Sequence, residues 1–235
     1  MSWMTSAAAR QLRSGLRRTG LIRLAMLLLR RLGYEQLFTR ALARVIRPGH
    51  CVWDVGANLG VYSAMFGRLA GPQGMVYAFE PLPETVARLR RNLGGAPGIR
   101  VMPFALSDSS GLAVLERGDD AEAATARLVD DAAAMAGTGG IAVPLRPGDT
   151  LVETGEARPP NVVKIDVEGH ELAVLQGMRQ QLADPALQHV FIEVHFALLH
   201  AEGRGDVPRQ IEALLRDAGF ALRWIDQSHL HAARG

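Results

Sequence analysis

The chain has one cysteine, Cys51, in 235 residues. A single thiol excludes an intrachain disulfide and any cysteine-clustered metal centre, and it fits a reducing, cytoplasmic compartment. Lysine is as scarce: of 26 basic residues only Lys164 is not arginine. An excess of one charge sign is missing too. The formal net charge is +2 and aromatics make up 6% of the chain, so there is no basic, aromatic-lined groove and no expectation of a nucleic-acid partner. Long apolar runs are absent: the best, Leu21 to Leu32, is broken by Arg23 and closed by Arg30 and Arg31. It is too short and too charged to span a bilayer. No small-residue cleavage site follows it closely, which argues against a secretory signal.

What is present is 48% hydrophobic residues with 21% charged, enough apolar material for one α/β domain with accessories. Cys51 to Val55 is a short apolar run suited to a strand buried on both faces. It breaks into Gly56-Ala57-Asn58-Leu59-Gly60 and resumes as a helical pattern from Val61. Strand, glycine-rich turn and helix place a nucleotide-like ligand beyond the carboxyl edge of a sheet. Met75 to Glu80 reads as the next strand and ends in a carboxylate, where the hydroxyls of an adenosine ribose are gripped. The spacing D-x-G-x-N-x-G lacks the third glycine of a dinucleotide fingerprint. Asp54, just before the turn, would repel a pyrophosphate but suits the cationic amino-acid end of S-adenosylmethionine. The expected ligand is that methyl donor, and a nicotinamide oxidoreductase is disfavoured.

Further along, helices are expected over Val61 to Leu69 and Pro81 to Leu93, and a third strand over Val101 to Leu106. Ser107 and Asp108 then fall at the edge where an adenine amino group is met. Asp119 to Gly140 is the least patterned stretch and reads as a loop. Ile141 to Leu151 returns to a sheet, with Pro144 and Pro147 confining it to an edge. Asn161 to Asp166 and Val190 to His195 are the fourth and fifth core strands, with one helix, Leu172 to Leu182, between them. Asp206 to Ala218 is amphipathic, and Phe220 to Ile225 is the expected last strand. Alternating strands and helices imply a parallel sheet covered on both faces.

Methyl transfer needs donor and acceptor aligned and the acceptor's proton removed. Asp166, Glu168 and His195 stand at the ends of the fourth and fifth strands and form the candidate catalytic group. His195 has the ordinary pKa of a base near neutrality. Lys164 reads as an ion-pair partner, with Glu193 across the adjacent strand as one choice. Glu171 fits a helix first turn, and His170 a solvent-facing helix position. A divalent-metal site from His195, His200, Asp166 and Glu168 lacks any local ligand motif and is not favoured.

Asp54-Val55-Gly56-Ala57-Asn58-x-Gly60-x-Tyr62-Ser63, Phe79-Glu80-Pro81, Ala105-Leu106-Ser107-Asp108 and Lys164-Ile165-Asp166-Val167-Glu168-Gly169-x-Glu171 occur in this order. Together they resemble the FkbM-type methyltransferases, a branch of the class I S-adenosylmethionine-dependent methyltransferases, from about Pro48 to Ile225. The resemblance implies a Rossmann-like, seven-stranded, mostly parallel sheet and a hydroxyl acceptor on a sugar, glycolipid or natural product. It implies that Asp54, Gly56, Asn58 and Gly60, with Ala57 and Tyr62 of the same motif, cradle the donor's methionine end. Glu80, with Pro81 beside it, would hold the ribose, and Ser107 with Asp108 the adenine. Residues 1–49, rich in arginine, stand outside it as an N-terminal extension to a domain over 50–235. They read as a helical cap, or else as a lid or a helix resting on the inner face of an anionic membrane. The competing class is a non-catalytic, ligand-binding adaptor docked through that extension.

Overall fold

The computed structural model describes residues 34–115 and 140–235. Most of the N-terminal extension, and most of the unpatterned stretch Asp119 to Gly140, lie outside the described residues. The chain divides into two compact units, residues 1–41 and 42–235. Helix α1, Tyr34–Val45, belongs in part to each. Among the described residues no helix is long and apolar enough to cross a membrane.

In the second unit β1 (Cys51–Val55) and β7 (Val162–Ile165) pair in parallel at the centre of a seven-stranded sheet, and every residue of both is buried. That explains their uninterrupted apolar character: helices cover both faces, so alternation has nothing to separate. The order is β3-β2-β1-β7-β8-β10-β9, where β2 is Met75–Phe79, β3 Ile99–Met102, β8 His189–Glu193, β9 Ala221–Trp224 and β10 His229–Ala233. The chain winds outward from β1 to β3, then restarts at β7 and winds the other way. The reversal opens a crevice at the carboxyl ends of β1 and β7, where open α/β sheets bind ligands.

Helix α2 (Val61–Ala70) buries Ser63, Phe66 and Ala70, one face at helical spacing. Helix α3 (Pro83–Leu93) carries proline in its first turn and buries Val86 and Leu89. At the far side, Val207–Asp217 buries Val207, Ile211 and Leu215. Each such side chain contributes about 1.5–3 kcal/mol when fully buried.

Five expectations are corrected. The third strand ends at Met102, and after Pro103 and Phe104 the chain joins a separate three-stranded sheet as β4, Ala105–Leu106. In that sheet β6 (Ile141–Arg146) is central, between β4 and β5 (Gly111–Leu115), rather than an edge. Proline is tolerated there because β4 reaches only Leu145 and Arg146, so Pro144 faces a partner on the β5 side alone. Pro147 starts a helix, Gly148–Glu153, instead of extending the strand. The single helix expected over Leu172 to Leu182 is two, Glu171–Gln176 and Arg179–Ala183. Last, β10 follows β9 and inserts between it and β8, antiparallel to both. Its sequence, His-Leu-His-Ala-Ala, carries little strand character by itself.

Candidate active site

The turn after β1 is built for close approach. Gly56 has φ +77°, and a side-chain carbon added there would lie 1.9 Å from the Asp166 carbonyl oxygen. No residue but glycine lets the ends of β1 and β7 come so near. The Gly56 and Ala57 N–H groups both donate to the Phe79 carbonyl, tying the turn to β2. Asn58 is left-handed at φ +48° and Gly60 at φ +85°. Gly60 precedes α2, which no side chain caps.

Glu80, one residue past β2, is buried and fixes this geometry. Its Oε2 accepts from the Asn58 N–H and its Oε1 from the Leu82 N–H, both at 3.0 Å. Burial raises its pKa, against the pull of those two N–H groups. One lone pair on each oxygen is used, and the carboxylate forms part of the wall of a cleft. That cleft encloses about 890 Å³ of empty space, part of it open to solvent. Around it stand Gly56, Asn58, Pro81, Ala105, Leu106 and Leu115, then Asp166, Val167, Glu168 and His170. The small sheet thus supplies an apolar wall through β4 and β5.

Not all the predicted ligand contacts reach this wall. Asp54 is fully buried beneath the turn, where its Oδ2 accepts from Ser63 Oγ at 2.6 Å and its Oδ1 is 3.3 Å from Lys164 Nζ. It supports the turn from below rather than facing a ligand. The cause is its register: it lies inside β1, level with Ala78 and Lys164, not beyond the strand. Tyr62 lies over Lys164, whose Nζ is 5.4 Å from its ring centre. Ser107 is buried, Asp108 is exposed, and neither lines the cleft. Their place is taken by Ala105, Leu106 and His170. His170, expected at the solvent, instead holds its Nε2 3.0 Å from Ser107 Oγ.

Lys164, the only lysine, is buried between β1 and β8 and donates to the Gly56 carbonyl at 3.0 Å. Its carboxylate partners are Asp54 at 3.3 Å and Asp166 at 3.5 Å. Burial alone would lower its pKa; the two carboxylates outweigh that and keep it charged. The expected pairing with Glu193 is replaced. Glu193 instead meets His229 Nε2 at 3.5 Å, and that hydrogen bond holds its carboxyl below the usual range.

Asp166 and Glu168 follow β7. Asp166 Oδ1 lies 3.7 Å from His195 Nε2. Glu168 has φ +46°, a conformation that L side chains rarely adopt, and stands on the cleft wall. Its carboxylate makes no hydrogen bond or ion pair with any described residue, and burial raises its pKa. His195 lies past the end of β8 rather than in it. Its Nδ1 is 2.7 Å from Oε1 of Glu171, a fully buried residue that also accepts from the Gly169 N–H. Burial would lower the imidazole's pKa, but Glu171, Asp166 and Glu193 push it up to about 9. At neutral pH this favours the imidazolium over the neutral base expected. His200 is exposed and apart from this group. Sequence reasoning missed Glu171 and His229 as partners, because each contact joins residues 24 or more positions apart.

A model of the family described as "Methyltransferase FkbM domain" matches residues 54–222. The hexuronic acid methyltransferase AglP of Haloferax volcanii is 35% identical over 78% of this chain and 69% of its own. The 31-O-demethyl-FK506 methyltransferase FkbM of Streptomyces tacrolimicus is 33% identical over 80% of this chain and 81% of its own. Among solved structures, methyltransferase FkbM of Methylobacillus flagellatus superposes with TM-score 0.52 at 17% identity, over 78% of this chain and 43% of that one. Fibrillarin of Aeropyrum pernix, with S-adenosyl-L-methionine natively bound, shares the fold at TM-score 0.50 and 13% identity, over 84% and 73%.

Proposed function

Because the chain belongs to the FkbM family of S-adenosylmethionine-dependent methyltransferases, we propose that its acceptor is a hydroxyl group on a sugar or natural product. The substrates in the names of the curated relatives support this acceptor, and strand order supports where the donor would lie. Glu80 follows β2 and Asp166 with Glu168 follows β7, on opposite sides of β1, so one cleft has a nucleoside end and an acidic end. On this proposal Glu80 holds the ribose, with Pro81, Ala105 and Leu106 around the base, while the turn Gly56 to Gly60 carries the methionine portion. Asp166 and Glu168, on the same cleft wall, would then stand where the donor supplies its methyl group.

S-adenosylmethionine would supply an activated methyl group to the acceptor oxygen, the carbon–sulfur electron pair staying on the sulfur of S-adenosylhomocysteine. The hydroxyl's proton must go elsewhere. Glu168 takes it, because it faces the cleft with a carboxylate that no described partner occupies. Asp166 stands between Lys164 and His195 and positions the hydroxyl. The curated relatives are named for a hexuronic acid and for 31-O-demethyl-FK506, which favours oxygen over nitrogen.

The test is incubation of the full chain with methyl-labelled donor and a panel of uronic acids, glycans and polyketides. Label recovered as an alkali-stable methyl ether is the expected result. Label in an alkali-labile ester or in an amine would overturn the hydroxyl assignment.

A further inference from the structure

We propose that Asp166, Glu193 and His195 form a binding site for a single divalent transition-metal cation, beside the acidic end of the cleft that Asp166 lines. They come from three places in the chain: just past β7, the last residue of β8, and the loop beyond β8. Each offers one ligand atom, and the three atoms lie within 4.8 Å of one another, close enough for one ion to bridge. Two carboxylates and one imidazole make a mixed oxygen–nitrogen set. Mg²⁺ and Ca²⁺ favour all-oxygen shells and imidazole suits transition metals, so the mixed set fits a first-row divalent ion, for which Mn²⁺ is the spectroscopic probe.

The donors are also held from behind, which a chance gathering of acids would not show. His195 Nδ1 is 2.7 Å from Glu171 Oε1, so Nδ1 donates and Nε2 is the nitrogen presented to the site, 3.7 Å from Asp166 Oδ1. A carboxylate behind the imidazole is the usual support of a metal-bound histidine. Glu193 is backed by His229, whose Nδ1 is in turn 2.7 Å from Asp226. Asp166 Oδ2 turns to Lys164, leaving Oδ1 for the ion. Glu171 is part of that support. It is fully buried, and its Oε2 has no hydrogen-bond partner among the described residues. A buried carboxylate left half satisfied is costly unless positive charge stands close; the His195 imidazole supplies it, either as imidazolium or with a cation in place of the proton on Nε2. The three ligands are only partly buried, so such an ion keeps open positions beside Asp166, which also lines the cleft. There it would bind an acceptor hydroxyl and make it a stronger acid; that use, unlike the binding itself, rests on the methyltransferase reading.

The full chain, stripped with EDTA and dialysed free of it, is titrated with MnCl₂ and followed by electron paramagnetic resonance. One site is expected, with histidine nitrogen visible in the electron spin-echo modulation. His195→Gln should abolish that modulation, and Glu193→Gln should weaken Mn²⁺ binding at least about tenfold. Calorimetry with S-adenosylhomocysteine on the same samples, without metal, reports whether each variant is folded. No Mn²⁺ binding at millimolar concentration by a wild-type chain that binds S-adenosylhomocysteine would overturn the proposal. So would a site without nitrogen modulation, or one whose affinity is unchanged in both variants. Mn²⁺ bound through His195 by a chain that does not bind S-adenosylhomocysteine would uphold the cation site and sink the donor pocket instead.

Discussion

Glu80 is the residue on which the donor end of the cleft turns. It joins the glycine turn to the start of α3 through Asn58 and Leu82 and still faces the cleft. Glu80→Ala should weaken S-adenosylhomocysteine binding by about 1.5–3 kcal/mol, the range for hydrogen bonds to a charged group, as read by calorimetry. Unchanged affinity would remove Glu80 from the ribose site. Gly56 works by absence: any side chain would strike the Asp166 carbonyl. Gly177 is the same case, since a side-chain carbon there would lie 1.8 Å from the Ser107 carbonyl oxygen. The break between the two short helices falls at this glycine, which is the local sign of it inside the expected helix.

Among the elements, the pair β1 and β7 carries both the core and the electrostatics. Lys164 on β7 reaches across to Asp54 on β1, to the carbonyl of Gly56 and to Asp166 beyond its own strand. One ammonium thus positions the turn and a site carboxylate together. Losing it strands two carboxylates, one of them fully buried. Lys164→Met should lower folding stability by about 3–5 kcal/mol, the cost of breaking a buried pair from one side, measured by urea unfolding. Adding Asp54→Asn should recover part of that loss, because the two residues share one interaction. Strict additivity of the two changes would show that the pair is not coupled.

Across the whole domain, the two edges of the sheet titrate differently. The carboxyl edge gathers acids around Lys164 and His195. Toward the opposite edge, His231 stacks on Phe191 at 4.1 Å, and its Nε2 is 3.3 Å from His189 Nδ1. Burial, then His189 and Arg223, lowers the His231 pKa to about 4 from the model-compound 6.5. The folded chain therefore binds fewer protons than the unfolded one between those values, and stability rises with pH there. Its contribution is complete above pH 6.5 and is lost as pH falls through about 4. Urea midpoints should drop over that window, and His231→Gln should flatten the drop without altering S-adenosylhomocysteine affinity at neutral pH. An equally steep drop in the variant would place the acid sensitivity elsewhere.

The chain's own order of residues determined the winding of β1, β2, β7 and β8, the glycine turn and the carboxylate after β2. Each of these is local: an apolar run, a glycine where φ is positive, an acid at a strand end. The motif Lys164-x-Asp166-x-Glu168 likewise marked the acidic end of the cleft. What only the tertiary structure decided depends on distance along the chain. β10 earns its place by pairing with β8 and β9, not by its own composition. Asp54 turned inward because of its register with Lys164. His195 became a charged imidazole because Glu171 folds against it from 24 positions away. Periodicity along a chain records which face is buried, but a polar side chain's partner is chosen by topology, and so is its protonation.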